Sequence, residues 1–192
     1  MTKTDFTPTT PPLARPVHYT CRYQSPLGGI TIAADSEGLT GLWFDGQKYF
    51  GSTLPVETKQ GDCPVFAQAK RWLDSYFAGE KPGFTPPLHW MTTPFRRAVW
   101  EILLTVPYGC TTTYGQIAAQ LADRMGKPQS AQAVGGAVGH NPISLIVPCH
   151  RVVGADGSLT GYAGGIDRKV KLLVLERADM SGLFIPARGT AL

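Results

Sequence analysis

The stretch "KPGFTPPLHWMTTP", residues 81–94, most constrains how this chain folds. Proline removes a backbone donor and fixes φ, so a segment this dense in proline carries neither a helix interior nor a central strand. The hydrophobic period differs on its two sides. Before it, "HYTCRYQSP", "GGITIAA" and "GLTGLWF" alternate like strands, separated by Pro-Leu-Gly-Gly and Asp-Ser-Glu-Gly turns. After it, apolar residues recur at helical spacing. The segment is therefore read as a linker, with residues 17–91 as one domain, 92–192 as a second, and the boundary near Met91.

The first domain is expected to be α/β: a short antiparallel meander covered by one helix in "CPVFAQAKRWLDSYFAGEKPG". That helix turns Val65, Ala69, Trp72, Leu73, Tyr76 and Phe77 inward and ends at Gly79 and Pro82. The second domain is expected to be mainly α. Thr93 and Pro94 make a good helix start, followed by an apolar stripe of Phe95, Val99, Ile102, Leu103 and Val106. "TTYGQIAAQLADRMG" reads as a helix capped by Thr112 or Thr113, with Ile117, Leu121 and Met125 inside. "SAQAVGGAVGHNP" reads as a short third helix with almost no side-chain bulk. Joined by "GKPQ", these two have the dimensions of a helix-turn-helix. "IDRKVKLLVLERAD" closes the domain with Val170, Leu173, Val174 and Ala178 inward. Residues 1–16, repetitive in Thr and Pro, read as a loose tail.

Charge narrows the partner. Residues 1–92 carry 8 Lys and Arg against 8 Asp and Glu, and residues 93–192 carry 10 against 6, so the net +4 lies in the second half. A polyanion would meet that half. No stretch approaches the roughly eighteen apolar residues of a membrane helix, and the N-terminus is not signal-like. The four scattered cysteines form no C-x-x-C pair. Reduced thiols and a cytoplasmic protein are expected.

Cys149 stands in "IVPCHRVVG", where Pro148 stiffens the entry and polar His150 and Arg151 interrupt two apolar runs. A free cysteine is usually a small buried hydrophobe. Wedged polar residues, however, mark a strand that ends at a site. A nucleophilic thiol must become a thiolate, and histidine is its usual helper. His150 cannot serve by adjacency in a straight strand, where successive side chains point oppositely, so a bend or a bridging water is required. "PCHRV" lacks the second cysteine of a zinc deaminase, and a papain-like order of cysteine and distant histidine is absent. A zinc set from His18, Cys21, Cys63 and His89 has no recognisable ligand spacing.

The pattern "NPISLIVPCHRVVG...GSLTGYAGG...RK...LLVLE" resembles the O6-alkylguanine-DNA alkyltransferases, closely from about Thr93 to Ala178. "SPLGGITIAADSEGLTGLWF" is similar to their N-terminal domain. The resemblance implies an RNase H-like α/β domain followed by a winged-helix-like, mainly α domain. It implies irreversible transfer of an alkyl group from O6-alkylguanine in duplex DNA to the protein's own cysteine, once per molecule, with no metal or organic cofactor. Activity on O4-alkylthymine and self-association on DNA are left open.

By position, Cys149 is the implied nucleophile, His150 the base acting through water, Glu176 the acid that orients it, and Tyr114 the donor to the leaving purine. Asn141 supports the turn. Val147, Val152, Tyr162 and Ala163 line the guanine pocket, with valine carbonyls facing the base's amino group and the Ala163 amide facing O6. Ala131, Gly135, Thr113 and Gln132 face DNA, in the minor groove. Relatives usually carry an arginine finger where this chain has Gln132, which is shorter, neutral and without a stacking plane. A lesion binder without the cysteine chemistry and an unrelated thiol hydrolase are the competing functions.

Overall fold

The computed structural model describes residues 17–187. The tail expected at residues 1–16 lies outside them.

The first three strands form where the alternation places them: β1 (His18–Ser25), β2 (Gly28–Ala34) and β3 (Leu39–Phe44), paired antiparallel. A fourth, β4 (Thr58–Gln60), pairs parallel to β1, so the sheet is mixed, in the order β3-β2-β1-β4. Three polar residues carry no periodicity that would announce β4. Helix α1 (Pro64–Phe77) starts on a proline, and its stripe of Val65, Phe66, Ala69, Trp72, Leu73 and Tyr76 is buried, with Phe77 half-buried. Burying such side chains is worth about 1.5–3 kcal/mol each, which holds the helix on the sheet.

In the second half, α2 (Pro94–Thr105) is capped by Thr93, whose hydroxyl accepts the Arg96 amide. It buries Val99, Trp100, Ile102 and Leu103, and the Trp100 indole donates to the Ala137 carbonyl at 2.9 Å. After β5 (Thr112–Thr113), α3 (Tyr114–Met125) opens on a capping box between Thr113 and Gln116 and ends at left-handed Gly126. Helix α4 (Ala131–Gly139) follows, capped by Ser130. One 3-10 turn at Cys149–Arg151 leads into β6 (Val152–Val153), which pairs parallel to β5, and α5 (Ile166–Leu175) is the last helix among the described residues.

Two expected core positions face solvent: Met125 is 39 % exposed and Val174 58 %. Met125 sits in the last turn of α3, past the packed stripe. On α5 the inward face runs through Lys169, Leu172, Leu173 and Glu176, one position out of phase with the predicted stripe.

The proline-rich segment is more than a connector. Leu39 N–H donates to Pro87 O and His89 N–H to Leu39 O, both at 2.8 Å, so the segment pairs with the edge of β3. His89 is fixed there by its Nδ1 contact with buried Asp35 Oδ2 at 2.6 Å. Farther along the same edge, Leu42 N–H donates to Pro142 O at 2.8 Å and Ser144 N–H to Leu42 O at 2.9 Å. The stretch leading to Cys149 is thereby hydrogen-bonded to the N-terminal sheet, and one hydrophobic cluster joins β2, β3, α1, α2, α3 and the cysteine turn.

A shared core predicts one cooperative unfolding transition for both halves, measurable by calorimetry. Ile143→Ala, at the fully buried seam, is expected to lower stability by about 2–5 kcal/mol in denaturant titration.

Candidate active site

The bend that a straight strand could not supply is present. Pro148 (φ −81°, ψ 63°) starts the 3-10 turn, and Arg151 N–H donates to Pro148 O at 3.0 Å. Cys149 and His150 leave one turn on different sides, both buried, at 4 % and 0 % exposure.

Asn141 holds this turn. Its amide nitrogen donates to Val147 O at 2.8 Å, to Ile143 O at 3.3 Å and to Cys149 Sγ at 3.1 Å, while its oxygen accepts the Ile143 amide at 3.0 Å. It therefore touches the sulfur as well as the backbone. Burial pushes the Cys149 thiol up, and the Asn141 donor, the Lys169 charge and the turn's own amides act in the opposite direction.

On the other side of the turn lies Glu176, at the C-terminus of α5 and 2 % exposed. Its Oε1 accepts from Tyr76 OH at 2.7 Å and Arg151 Nη2 at 3.0 Å and lies 2.6 Å from His150 Nε2. Its Oε2 accepts from Arg151 Nε at 2.8 Å and from the Gly109 amide at 3.2 Å. Gly109 has φ 76°, and a Cβ there would lie 2.7 Å from Glu176 O, so no larger residue fits. Burial alone would raise the carboxyl's pKa. The His150 and Arg151 contacts instead hold it well below the usual carboxylate range. Burial drives the His150 pKa down, outweighing Glu176. An ionised carboxylate only accepts, so neutral His150 carries its hydrogen on Nε2, and Nδ1, buried and without a partner among the described residues, keeps its lone pair.

Tyr114, at the first position of α3, is half-buried, with its hydroxyl pKa raised by burial. Tyr162 is buried edge-on to His150, ring centroids 6.3 Å apart, and a Cβ on Gly164 would lie 2.5 Å from its ring. A cavity of about 590 Å³ opens between α3, α4 and the loop before Tyr162; Tyr114, Ala131, Gln132, Gly135, Thr160 and Gly161 line it. The Thr113 hydroxyl is engaged with Gln116 N–H at 3.1 Å as a cap. Ala163 O accepts Lys48 N–H at 3.0 Å.

The valine carbonyls do not stand free as expected. Val147 O already accepts from Asn141 and from the Cys149 amide at 2.8 Å, and Val152 O accepts from Lys169 Nζ at 2.6 Å. Both lone pairs of the Val147 carbonyl are thereby engaged, and the Val152 carbonyl is committed to the Lys169 ammonium.

Three site residues escaped the sequence. Tyr76 reads as core, Arg151 only as a wedged polar residue, and Lys169 carries no reading of its own beyond the "RK" of the family pattern. Lys169 is fully buried, its ammonium held by Val152 O and Thr160 O, with its pKa lowered by burial to about 8. Its spacing of three, four and seven from Leu172, Leu173 and Glu176 is the signal that places it on the packed face.

Residues 17–90 match the family model described as 6-O-methylguanine DNA methyltransferase, ribonuclease-like domain, and residues 94–178 match that of its DNA binding domain. The chain belongs to the 6-O-methylguanine DNA methyltransferase family. A methylated-DNA–protein-cysteine methyltransferase of Mycobacterium tuberculosis is 46 % identical over 162 residues, covering 84 % of this chain and 93 % of the relative. The same-named protein of Haemophilus influenzae is 41 % identical over 160 residues, covering 83 % and 86 %. Among solved structures, M. tuberculosis OGT in complex with DNA superposes with a TM-score of 0.69 at 45 % identity, covering 83 % of this chain and 92 % of that one. For a 6-O-methylguanine DNA methyltransferase of this build, DNA is the macromolecular partner. Among the described residues, no helix is long and apolar enough to cross a membrane.

The Glu176 pairing predicts an acid-side dependence of stability. A carboxyl held low in the folded state contributes fully above its unfolded pKa of about 4.3, and the contribution is lost as pH falls through the folded value. Glu176→Gln should remove that slope and, by leaving buried Arg151 without its counter-charge, lower stability by about 3–5 kcal/mol. Urea titrations between about pH 3 and pH 7 measure both effects.

Proposed function

We propose that this protein reverses O6-alkylguanine damage directly, moving the alkyl group to Cys149 in a single irreversible transfer. The observation that carries this reading is the buried cysteine on the same 3-10 turn as a neutral histidine whose Nδ1 has no hydrogen-bond partner among the described residues. No direct hydrogen bond joins Sγ to the imidazole, so the Cys149 proton passes through a bridging water to His150 Nδ1. Glu176, fixed by Tyr76, Arg151 and Gly109, stabilises the imidazolium that results. The Lys169 ammonium favours the thiolate electrostatically.

The thiolate then attacks the alkyl carbon in line with the C–O6 bond. The S–C bond forms as the C–O6 bond breaks, and the electron pair leaves on guanine. Tyr114 O–H, at the cavity wall, donates to the departing purine and neutralises developing charge. A thioether is left, which no group in this site can cleave, so the protein acts once.

The flipped guanine enters through the cavity while α3 and α4 approach duplex DNA from the minor groove. Ala131, Gly135 and Gly136 present little bulk, which allows close approach to the sugar-phosphate walls. Gln132 replaces a charged, stacking finger by a neutral amide, so base extrusion is weaker than in an arginine-bearing relative.

Intact-mass spectrometry after incubation with an oligonucleotide carrying O6-methylguanine should show a stoichiometric gain of one methylene, mapped to Cys149. Unmodified protein under conditions of proven DNA binding refutes transfer and favours a pure lesion binder; repeated turnover favours a hydrolase. Cys149→Ser should abolish transfer and retain DNA binding. Gln132→Arg should raise duplex affinity and repair rate by about tenfold, the scale of one good stacking or charged contact. Unchanged values for both would show that the finger position does not limit extrusion.

A further inference from the structure

All residues assigned above to the DNA surface come from the C-terminal half, yet Tyr49, on the loop between β3 and β4, lines the same cavity. Its ring stacks on His140, which follows α4, with centroids 4.1 Å apart and planes 24° from parallel. His140 Nδ1 lies 2.7 Å from Gly136 O, so its N–H fixes the imidazole plane that supports the tyrosine.

The loop is held in place on three sides. Gln47 Oε1 accepts the Phe44 amide at 2.9 Å and the Ser144 hydroxyl at 3.2 Å, tying it to the seam beside the cysteine segment. Lys48 N–H donates to Ala163 O at 3.0 Å, tying it to the guanine-pocket loop. Tyr49 itself has φ 60°, left-handed backbone that a tyrosine rarely adopts. Such a conformation persists only where the surroundings impose it. Here they aim an aromatic face at the cavity.

Lys48 is exposed and its Nζ lies over the Tyr49 ring, 5.2 Å from the centroid, so this flexible side chain swings aside when a nucleotide takes the ring face that His140 leaves; Phe50 beside it is 43 % exposed. An aromatic face with an adjacent ammonium at the rim of a cavity is the arrangement that holds an unstacked nucleotide: the base or sugar on the ring, the phosphate on the cation. Gln132, on the opposite wall, supplies neither charge nor a stacking plane.

We propose that Tyr49, backed by His140, is a DNA-binding residue contributed by the N-terminal domain. It serves as a platform for a nucleotide of the strand that carries the extruded guanine, with Lys48 on the neighbouring phosphate. The proposal rests on the reading of the cavity as the entry route for flipped guanine.

The test uses the full chain carrying Cys149→Ser, so that binding is measured without transfer, and a fluorescent duplex containing one O6-methylguanine. Tyr49→Ala should weaken binding about tenfold, while Tyr49→Phe, which keeps the stack, should stay within about twofold. Lys48→Ala, a surface change that leaves the fold intact, should reduce the slope of log affinity against log salt by about 0.9, the value of one phosphate contact. Binding by a folded Tyr49→Ala chain equal to its parent, or an unchanged salt slope for Lys48→Ala, overturns this inference and leaves the alkyl-transfer reading standing. A parent chain that binds no duplex overturns both.

Discussion

A carboxylate buried without compensation is too costly for a protein of this size to tolerate, and Glu176 sets the geometry of everything near it. Its two oxygens accept from Tyr76 on α1, Arg151 on the 3-10 turn and the Gly109 amide after α2, with the His150 ring nitrogen 2.6 Å away. Three separate parts of the chain must converge on the end of α5 for the charge to be satisfied. The histidine tautomer, and with it the base available to Cys149, follows from that convergence.

Tyr76 makes the N-terminal domain a participant in this arrangement. Its pKa is pushed up by burial and by Glu176, so it remains a hydrogen-bond donor throughout the working range of pH. Together with the pairing of Pro142 and Ser144 to β3, it explains why the two matched family segments share one core. The catalytic turn is built between the halves.

Much of this was legible in the sequence because the signals are local. Alternation places β1, β2 and β3; Thr93 and Pro94 place the start of α2, and of the two candidates Thr112 and Thr113 it is Thr113 that caps α3. The difficulty with His150 in a straight strand calls for a bend or a bridging water, and the 3-10 turn supplies a bend. What stayed hidden depends on partners far away in the chain. Strand β4 has no pattern of its own, Tyr76 lies 100 residues from Glu176, and the role of Leu88 and His89 at the edge of β3 appears only once the sheet exists. Val170, Leu173 and Val174 read as one apolar stripe, which turns Val174 inward. The true face carries Lys169, a charge whose burial depends on the carbonyls of Val152 and Thr160.

The covered edge of β3 has one more consequence. All six residues of Leu39–Phe44 are buried, and the edge they form is closed by Leu88 at one end and Ile143 at the other. An unprotected apolar strand edge is a template for pairing with another chain. Release of the segment that carries the nucleophile would therefore uncover an aggregation-prone surface as well as disable the chemistry, so colloidal stability and reactive competence are lost together.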